Sequence, residues 1–166
     1  MQEILSRLVL LVIFSLNISW SALCQSPVRP RVQKIVNILA KDRMLHLGGR
    51  VGYSAQPEKN KYVTNYKKLI KVAKEDELVY LTKDTNKIVA LYAYSTLYKK
   101  SYHGVKSIFL KNIQDTAYVW ASGGCTGVLY RVNEFMLSLL NPEYSKQEAY
   151  MTKEEYQDLY NKIVRR

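Results

Sequence analysis

The sequence predicts an all-α fold, a short stack of antiparallel helical pairs closed by a C-terminal capping helix. Apolar residues recur at helical spacing through most of the chain, which is the pattern of helices that bury one face. Two Asp-Thr turns, Asp84-Thr85 and Asp115-Thr116, lie 31 residues apart, and each follows a Leu- or Ile-rich segment. A fixed period of this size is typical of stacked helical pairs. An α+β fold is the alternative, because residues 88–94 form an apolar, Tyr-rich run that also fits a buried strand.

The first 24 residues have the pattern of a cleaved secretory signal. An unbroken apolar run at residues 8–14 is followed by Ala22 and Cys24, small residues with the spacing of a cleavage site. Polar residues interrupt the segment before it reaches the about 20 apolar residues of a membrane span. We therefore expect an exported protein, periplasmic or secreted, with no transmembrane span in the mature chain. If residues 1–24 stay attached or Cys24 is lipidated, the protein is instead tethered to a membrane, although Leu23 does not fit the usual lipidation pattern.

The chain is strongly basic, with a formal net charge of +11 at neutral pH. Such an excess favours anionic neighbours, for which an anionic membrane or glycan surface is expected here. Nucleic acid is not expected as a partner of an exported protein. The alternative is that the lysines only keep a surface rich in tyrosine soluble, since the sequence has 14 tyrosines.

The first half of the chain is divided by prolines and glycines. Residues 25–30 are expected to form a linker because they contain two prolines, and residues 31–166 to form a single helical domain. A first helix is predicted over residues 31–45. A second helix, over residues 58–73, has a clear apolar stripe, with lysines outside that stripe. The lysines that mark its basic side are Lys59, Lys67, Lys71 and Lys74.

The second half continues the helical pattern. Short helices are predicted on both sides of each Asp-Thr turn, so that Val119 and Trp120 open a helix after the second turn. Residues 128–140 carry another apolar stripe at helical spacing. Thr152, with a glutamate three residues later, has the spacing of a capping box. This spacing predicts a terminal helix over residues 152–165 that caps the stack.

Residues 78–97 resemble a HEAT-type helical repeat. A Leu-rich first helix ends at Asp84, and a second helix begins with Val89 and carries Ala93 four residues on. The residue after that valine is alanine, where the family usually has a basic residue. The chain also resembles small exported bacterial proteins that combine such a repeat with a downstream Gly-Cys element and a Tyr-rich C-terminal helix. The resemblance implies an α-solenoid with HEAT-like repeats over about residues 74–140, and a protein-interaction scaffold.

Cys125 is the one candidate for a reactive group. It lies among glycines ahead of a predicted helix, and helix N-termini favour the thiolate form of cysteine. A nucleophilic cysteine needs a base, for which the chain offers only His46 and His103. A small buried cysteine is the structural alternative. Because no metal-ligand spacing and no acid–base couple stand out, we expect no catalytic residue, no metal and no cofactor.

The leading functional hypothesis is a protein-interaction or scaffold module of the cell envelope that is not an enzyme. Tyrosine is common at interfaces because its ring buries area while its hydroxyl stays polar. The surface proposed for an unknown protein partner consists of Tyr92, Tyr94, Tyr98, Lys99, Lys100 and Tyr102. Two alternatives stay open. One is a small thiol-dependent enzyme that uses Cys125, and the other is electrostatic binding of an anionic membrane or glycan surface by the lysines of the second helix.

Overall fold

The computed structural model describes residues 27–48, 60–122, 127–144 and 150–164. In these ranges the chain forms seven helices and three short strands. The helices are α1 (Pro30–Leu39), α2 (Lys61–Val72), α3 (Glu75–Leu81), α4 (Lys87–Lys99), α5 (Val105–Lys111), α6 (Val132–Leu139) and α7 (Lys153–Val164). The strands are β1 (Met44–Leu45), β2 (Tyr118–Ser122) and β3 (Gly127–Arg131). The leader of residues 1–24, Lys59 and Cys125 lie outside the described residues.

The all-α prediction is wrong, because the chain contains a three-stranded mixed sheet in the order β1-β2-β3. β1 pairs parallel with β2, with Met44 opposite Trp120, and β2 pairs antiparallel with β3, with Trp120 opposite Leu129. The segment that opens with Val119, predicted as a helix, is therefore strand β2. Val119 and Ala121 are buried while their neighbours are more exposed, which is the alternation of a half-buried strand.

Helix α4 forms the centre of the fold. Every residue from Ile88 to Leu97 is buried, and the helix contacts α1, α2, α3, α5, α6 and β1. A helix that is buried all round has no single apolar face, which is why residues 88–94 also fitted a strand. The α+β alternative therefore placed a strand in a segment that is helical. Repeats of a solenoid contact only their neighbours, so a helix enclosed on all sides contradicts the predicted stack.

One helical pair, α3 and α4, lies on either side of the first Asp-Thr turn, as predicted. α3 ends at Leu81 and α4 begins at Lys87, where the side chain of Asn86 accepts the backbone N–H groups of Ile88 and Val89. The second copy does not follow the same order. After Asp115 the chain enters β2 instead of a helix, so the two Asp-Thr turns do not mark two equivalent helical pairs.

Helix α1 is shorter than the helix predicted over residues 31–45. It begins with Pro30, whose fixed φ suits the first helical position, and it ends at Leu39. Asp42 is buried, and its carboxylate accepts the backbone N–H of Met44 at 3.2 Å. This side-chain contact replaces a further helical turn, and the chain continues as β1.

The C-terminal helix α7 packs on α6. At its start the Thr152 hydroxyl accepts the backbone N–H of Glu155 at 3.2 Å, which is half of a capping box. Near its end the carbonyl oxygen of Ile163 accepts a hydrogen bond from the Arg131 guanidinium at 2.7 Å. The last helix is therefore anchored to the end of β3.

A serine occupies the left-handed position after α4. Ser101 has a φ of +58°, while the N–H of Tyr102 donates to the carbonyl of Leu97 and that of Ser101 to the carbonyl of Tyr98, each at 3.1 Å. These bonds form a Schellman motif, which normally has glycine at this position. We expect Ser101→Gly to raise the free energy of unfolding by about 1 kcal/mol, measured by urea denaturation. Ser107→Gly, at an exposed position inside α5, is expected to lower it, and equal effects of the two changes would contradict the assignment.

Candidate functional site

Two of the predicted surface tyrosines belong to the core. Tyr92 and Tyr94 are 1% and 0% exposed. The Tyr92 hydroxyl donates to the Asp42 carboxylate at 2.8 Å, and the Tyr94 hydroxyl donates to the Met136 carbonyl at 3.3 Å. Burial raises the pKa of both phenols well above the ordinary value. The predicted Tyr- and Lys-bearing surface is therefore wrong for these two residues, because the helix that carries them is enclosed.

The next two residues of that set pack against neighbouring rings. Tyr98 is half-buried, and its ring centroid lies 5.8 Å from that of Tyr150. The Nζ atom of Lys99 lies 4.8 Å from the centroid of the buried Tyr66 ring, and burial lowers the pKa of this amine. Both side chains are thus partly committed to packing within the protein.

The rest of the set lines an open cleft of about 900 Å³ where α2 meets α3. Tyr102 contributes to its wall, and its charged lining residues are Arg29, Lys71, Lys74, Lys100, Glu75 and Asp76. The Arg29 guanidinium is committed to the buried Glu77 carboxylate at 2.7 Å. The remaining three lysines face two carboxylates, so the charge of this cleft is nearly balanced.

A second groove lies between α1 and α2, which run antiparallel. Arg29, just before α1, donates to the carbonyl of Val72 at the end of α2 at 2.7 Å. Tyr62, at the start of α2, donates to the carbonyl of Lys41, just after α1, at 3.2 Å. The groove has a volume of about 390 Å³. Its lining residues are Arg31, Lys34, Ile35, Ile38, Asn65, Lys68 and Val72.

The α1–α2 pair carries only positive charge. The two helices contain no acidic residue, and their cationic side chains are Arg31, Lys34, Lys61, Lys67, Lys68 and Lys71. All six are exposed, and none has an ion-pair partner within the part of the chain that the structure describes. Elsewhere, Lys87 pairs with Asp115 and Lys106 with Glu155, each at 2.7 Å. We call the surface formed by these six cations the α1–α2 basic face.

The spacing of these cations lets them act together. Residues three or four apart on a helix have Cβ atoms about 5–6 Å apart, as Arg31 and Lys34 do on α1. Side chains that start this close can bring their charged groups within the Debye length of about 8 Å at physiological ionic strength. Neighbouring cations on this face therefore repel one another, and a bound anion relieves that repulsion.

Four of these residues were missed by the sequence analysis: Arg31, Lys34, Lys61 and Lys68. The apolar stripe of a single helix singles out only Lys59, Lys67, Lys71 and Lys74, which lie outside that stripe. A clearer sign of the basic face in the sequence is the absence of acidic residues, since residues 27–41 and 60–74 contain no aspartate or glutamate. The two stretches lie side by side only in the folded protein, and helical periodicity does not predict that contact.

The two histidines have different environments. His46 Nδ1 lies 2.8 Å from the Asp42 carboxylate, and the His46 backbone N–H donates to the Tyr92 hydroxyl at 2.8 Å. His103 is exposed, with its ring centroid 4.7 Å from that of Tyr102. In the described ranges no three histidine, cysteine or acidic side chains cluster as metal ligands would.

The β2–β3 hairpin has an exposed apolar face that the sequence analysis missed. Tyr118, Trp120 and Leu129 are 68%, 48% and 46% exposed. The Trp120 ring lies over Gly127, where a Cβ would come within 3.3 Å of the indole. The face was missed because Trp120 and Leu129 were expected in two separate helices, whereas they are paired residues of one sheet.

No protein-family model matches the chain, and no curated protein is similar to it at a significant level. Among the described residues, every helix is too short or too polar to cross a lipid bilayer. The function is therefore argued from the geometry and charge of the surface alone.

Proposed function

We propose that this protein is a non-catalytic binding module that attaches to an anionic surface through the α1–α2 basic face. The observation that supports the proposal is the set of six exposed cations on two adjacent helices that contain no acidic residue. The expected setting is the cell envelope, where lipid headgroups and acidic glycans supply such surfaces.

Charge repulsion gives a physical reason for a ligand. Like charges three or four residues apart destabilise a helix by a few tenths of a kcal/mol per pair. Folded proteins commonly reduce such repulsion with a carboxylate nearby, as Glu155 does for Lys106 in this fold. The basic face has no such carboxylate on either helix, so its cations are arranged to meet negative charge from outside.

The first test removes two cations that line the groove from opposite sides. Each lysine near an anionic surface contributes about 1 kcal/mol, so we expect Lys34→Gln/Lys68→Gln to weaken binding to dextran sulfate about 30-fold. Binding of the unmodified protein should also weaken steeply as salt is added, because exposed charges are screened. Both effects are measured by titration of the polymer at several salt concentrations.

The matched control removes the same charge elsewhere. Lys83 and Lys111 are exposed and lie outside α1 and α2, so Lys83→Gln/Lys111→Gln is expected to change the affinity less than about threefold. If the two double variants lose affinity equally, only the net charge matters and the basic face is not a site. Salt-insensitive binding would also contradict the proposal.

The other two hypotheses have less support. A scaffold that binds through the tyrosines of α4 has less support because Tyr92 and Tyr94 are buried in the core and cannot contact a partner. The thiol hypothesis depends on Cys125, which lies outside the described residues, and the structure supplies no observation in its favour. The basic face, in contrast, is supported by six side chains that are all exposed.

A further inference from the structure

Part of the α1–α2 groove lining is apolar. Ile35, Ile38 and Val72 line the groove together with Arg31, Lys34 and Lys68. Ile38 is 37% exposed, although the same helix buries Ile35 and three other apolar residues. An anionic polymer held by charge alone gains nothing from this isoleucine, whereas a ligand with an apolar part adjoining its negative charge would cover it.

We infer that the groove binds an anionic phospholipid of a bilayer, with the phosphate near Arg31, Lys34 and Lys68 and the adjoining apolar part of the lipid against Ile38. This inference rests on the proposed function of the basic face and names its ligand class. Charge complementarity selects the anionic headgroup, since the charged groups of the groove lining are all positive. The exposed isoleucine that lines the same groove favours a lipid over a purely polar glycan.

The shape of the helix pair fits a planar surface. The ten residues of α1 and the twelve of α2 correspond to helices about 15 and 18 Å long. Because they are antiparallel neighbours, exposed cations of both helices line the groove, which Ile38 also lines. Interfacial helices bind in this way, with apolar side chains entering the headgroup region while Lys and Arg contact the phosphates.

The larger cleft where α2 meets α3 is a poorer lipid site. Its lining includes Glu75 and Asp76, which would repel a phosphate, and its arginine is committed to Glu77. The two sites adjoin because Val72 lines both. The difference in charge therefore places the headgroup in the α1–α2 groove.

The test uses the full chain and three probes: vesicles of phosphatidylcholine, vesicles of phosphatidylcholine mixed with phosphatidylglycerol, and dextran sulfate. We expect binding to the mixed vesicles and little to phosphatidylcholine alone. Ile38→Ser should weaken partition into the mixed vesicles about fivefold, because part of an isoleucine side chain is no longer removed from water. Ile38→Trp should strengthen partition, since tryptophan favours the membrane interface. Neither change should alter dextran sulfate binding more than about twofold, because neither alters the charge.

Leu110→Ser is the matched control, since Leu110 is 43% exposed on α5, which lies apart from the groove. It should leave vesicle binding unchanged. If dextran sulfate binds but the mixed vesicles bind no better than phosphatidylcholine, or if both Ile38 variants partition like the unmodified chain, the lipid inference is overturned while the proposed function stands. If no anionic probe binds, the proposed function itself fails.

Discussion

Replacing Glu77 with glutamine is expected to lower the free energy of unfolding by about 3 kcal/mol, because it disrupts a buried charge with four hydrogen-bond donors. The Glu77 carboxylate is 1% exposed. It accepts the Arg29 backbone N–H at 2.9 Å, the Arg29 side chain at 2.9 and 2.7 Å, and the Lys74 backbone N–H at 2.8 Å. Glutamine keeps one acceptor and turns an N–H₂ group toward the donors. Chemical denaturation at neutral pH measures the loss.

The same contacts give the stability a definite pH dependence. The hydrogen bond from the Arg29 guanidinium, helped by the backbone N–H groups and opposed by burial, lowers the pKa of Glu77 from 4.5 to about 2. A folded-state pKa below the unfolded one stabilises the protein above pH 4.5, and this stabilisation is lost as the pH falls from 4.5 through 2. The stability of the unmodified chain should therefore fall more steeply in this window than that of Glu77→Gln.

The control for this prediction is Glu75→Gln. Glu75 lies in the same helical turn but is exposed. Glu75→Gln should therefore lower the free energy of unfolding by less than about 1 kcal/mol, mainly because a negative charge near the helix N-terminus is removed. Parallel stability–pH curves for the unmodified chain and Glu77→Gln would show that this carboxylate is not the group that titrates. A loss at Glu75 as large as that at Glu77 would argue against the buried contact.

The sequence could predict the helices whose burial is one-sided. α2 and α7 each have one apolar stripe, and the turn before α4 is marked by Asp84 and Asn86, so their periodicity and caps were recognisable. The strands could not be recognised in this way. β1 has two residues, too few for any period, and β2 alternates over only five. β1 and β3 are strands because each pairs with β2, and such pairing is a tertiary contact that local periodicity does not reveal.

Only the site residues that share one helix could be predicted from the sequence, because local periodicity does not show which helices are neighbours. Lys67 and Lys71 were recognisable on one helix, whereas the cleft that Lys71 and Lys74 share with Lys100 was not predicted. Lys34 and Lys68 face each other only because α1 and α2 are antiparallel. That arrangement depends on contacts between residues more than 20 positions apart, such as the one between Tyr62 and Lys41. Local spacing carries no information about such contacts.

Replacing Asp42 with alanine is the second change with a large expected effect, a loss of about 3 kcal/mol of stability. Its carboxylate accepts the Tyr92 hydroxyl at 2.8 Å and the Met44 backbone N–H at 3.2 Å, and it lies 2.8 Å from His46 Nδ1. Alanine leaves a fully buried phenol without its acceptor, and removing one partner of a buried hydrogen bond costs more than the bond itself contributes. Because Asp42 links β1 to α4, amide hydrogen exchange at Leu45 and Ala121 should accelerate more than exchange within α7.

Tyr92→Phe distinguishes the contribution of the Tyr92 hydroxyl's hydrogen bonds from that of the packing of the Tyr92 ring. It keeps the buried ring and removes only the hydroxyl, so we expect a loss of about 1.5 kcal/mol, smaller than that of Asp42→Ala. The double variant should lose less than the sum of the two single losses, by about 1 kcal/mol or more, because the second change removes a bond that the first has already broken. Strict additivity would mean that Asp42 and Tyr92 act independently. The bond between them would then contribute nothing to the junction of β1 with α4, which would depend on packing and on the contact of Asp42 with the Met44 backbone N–H.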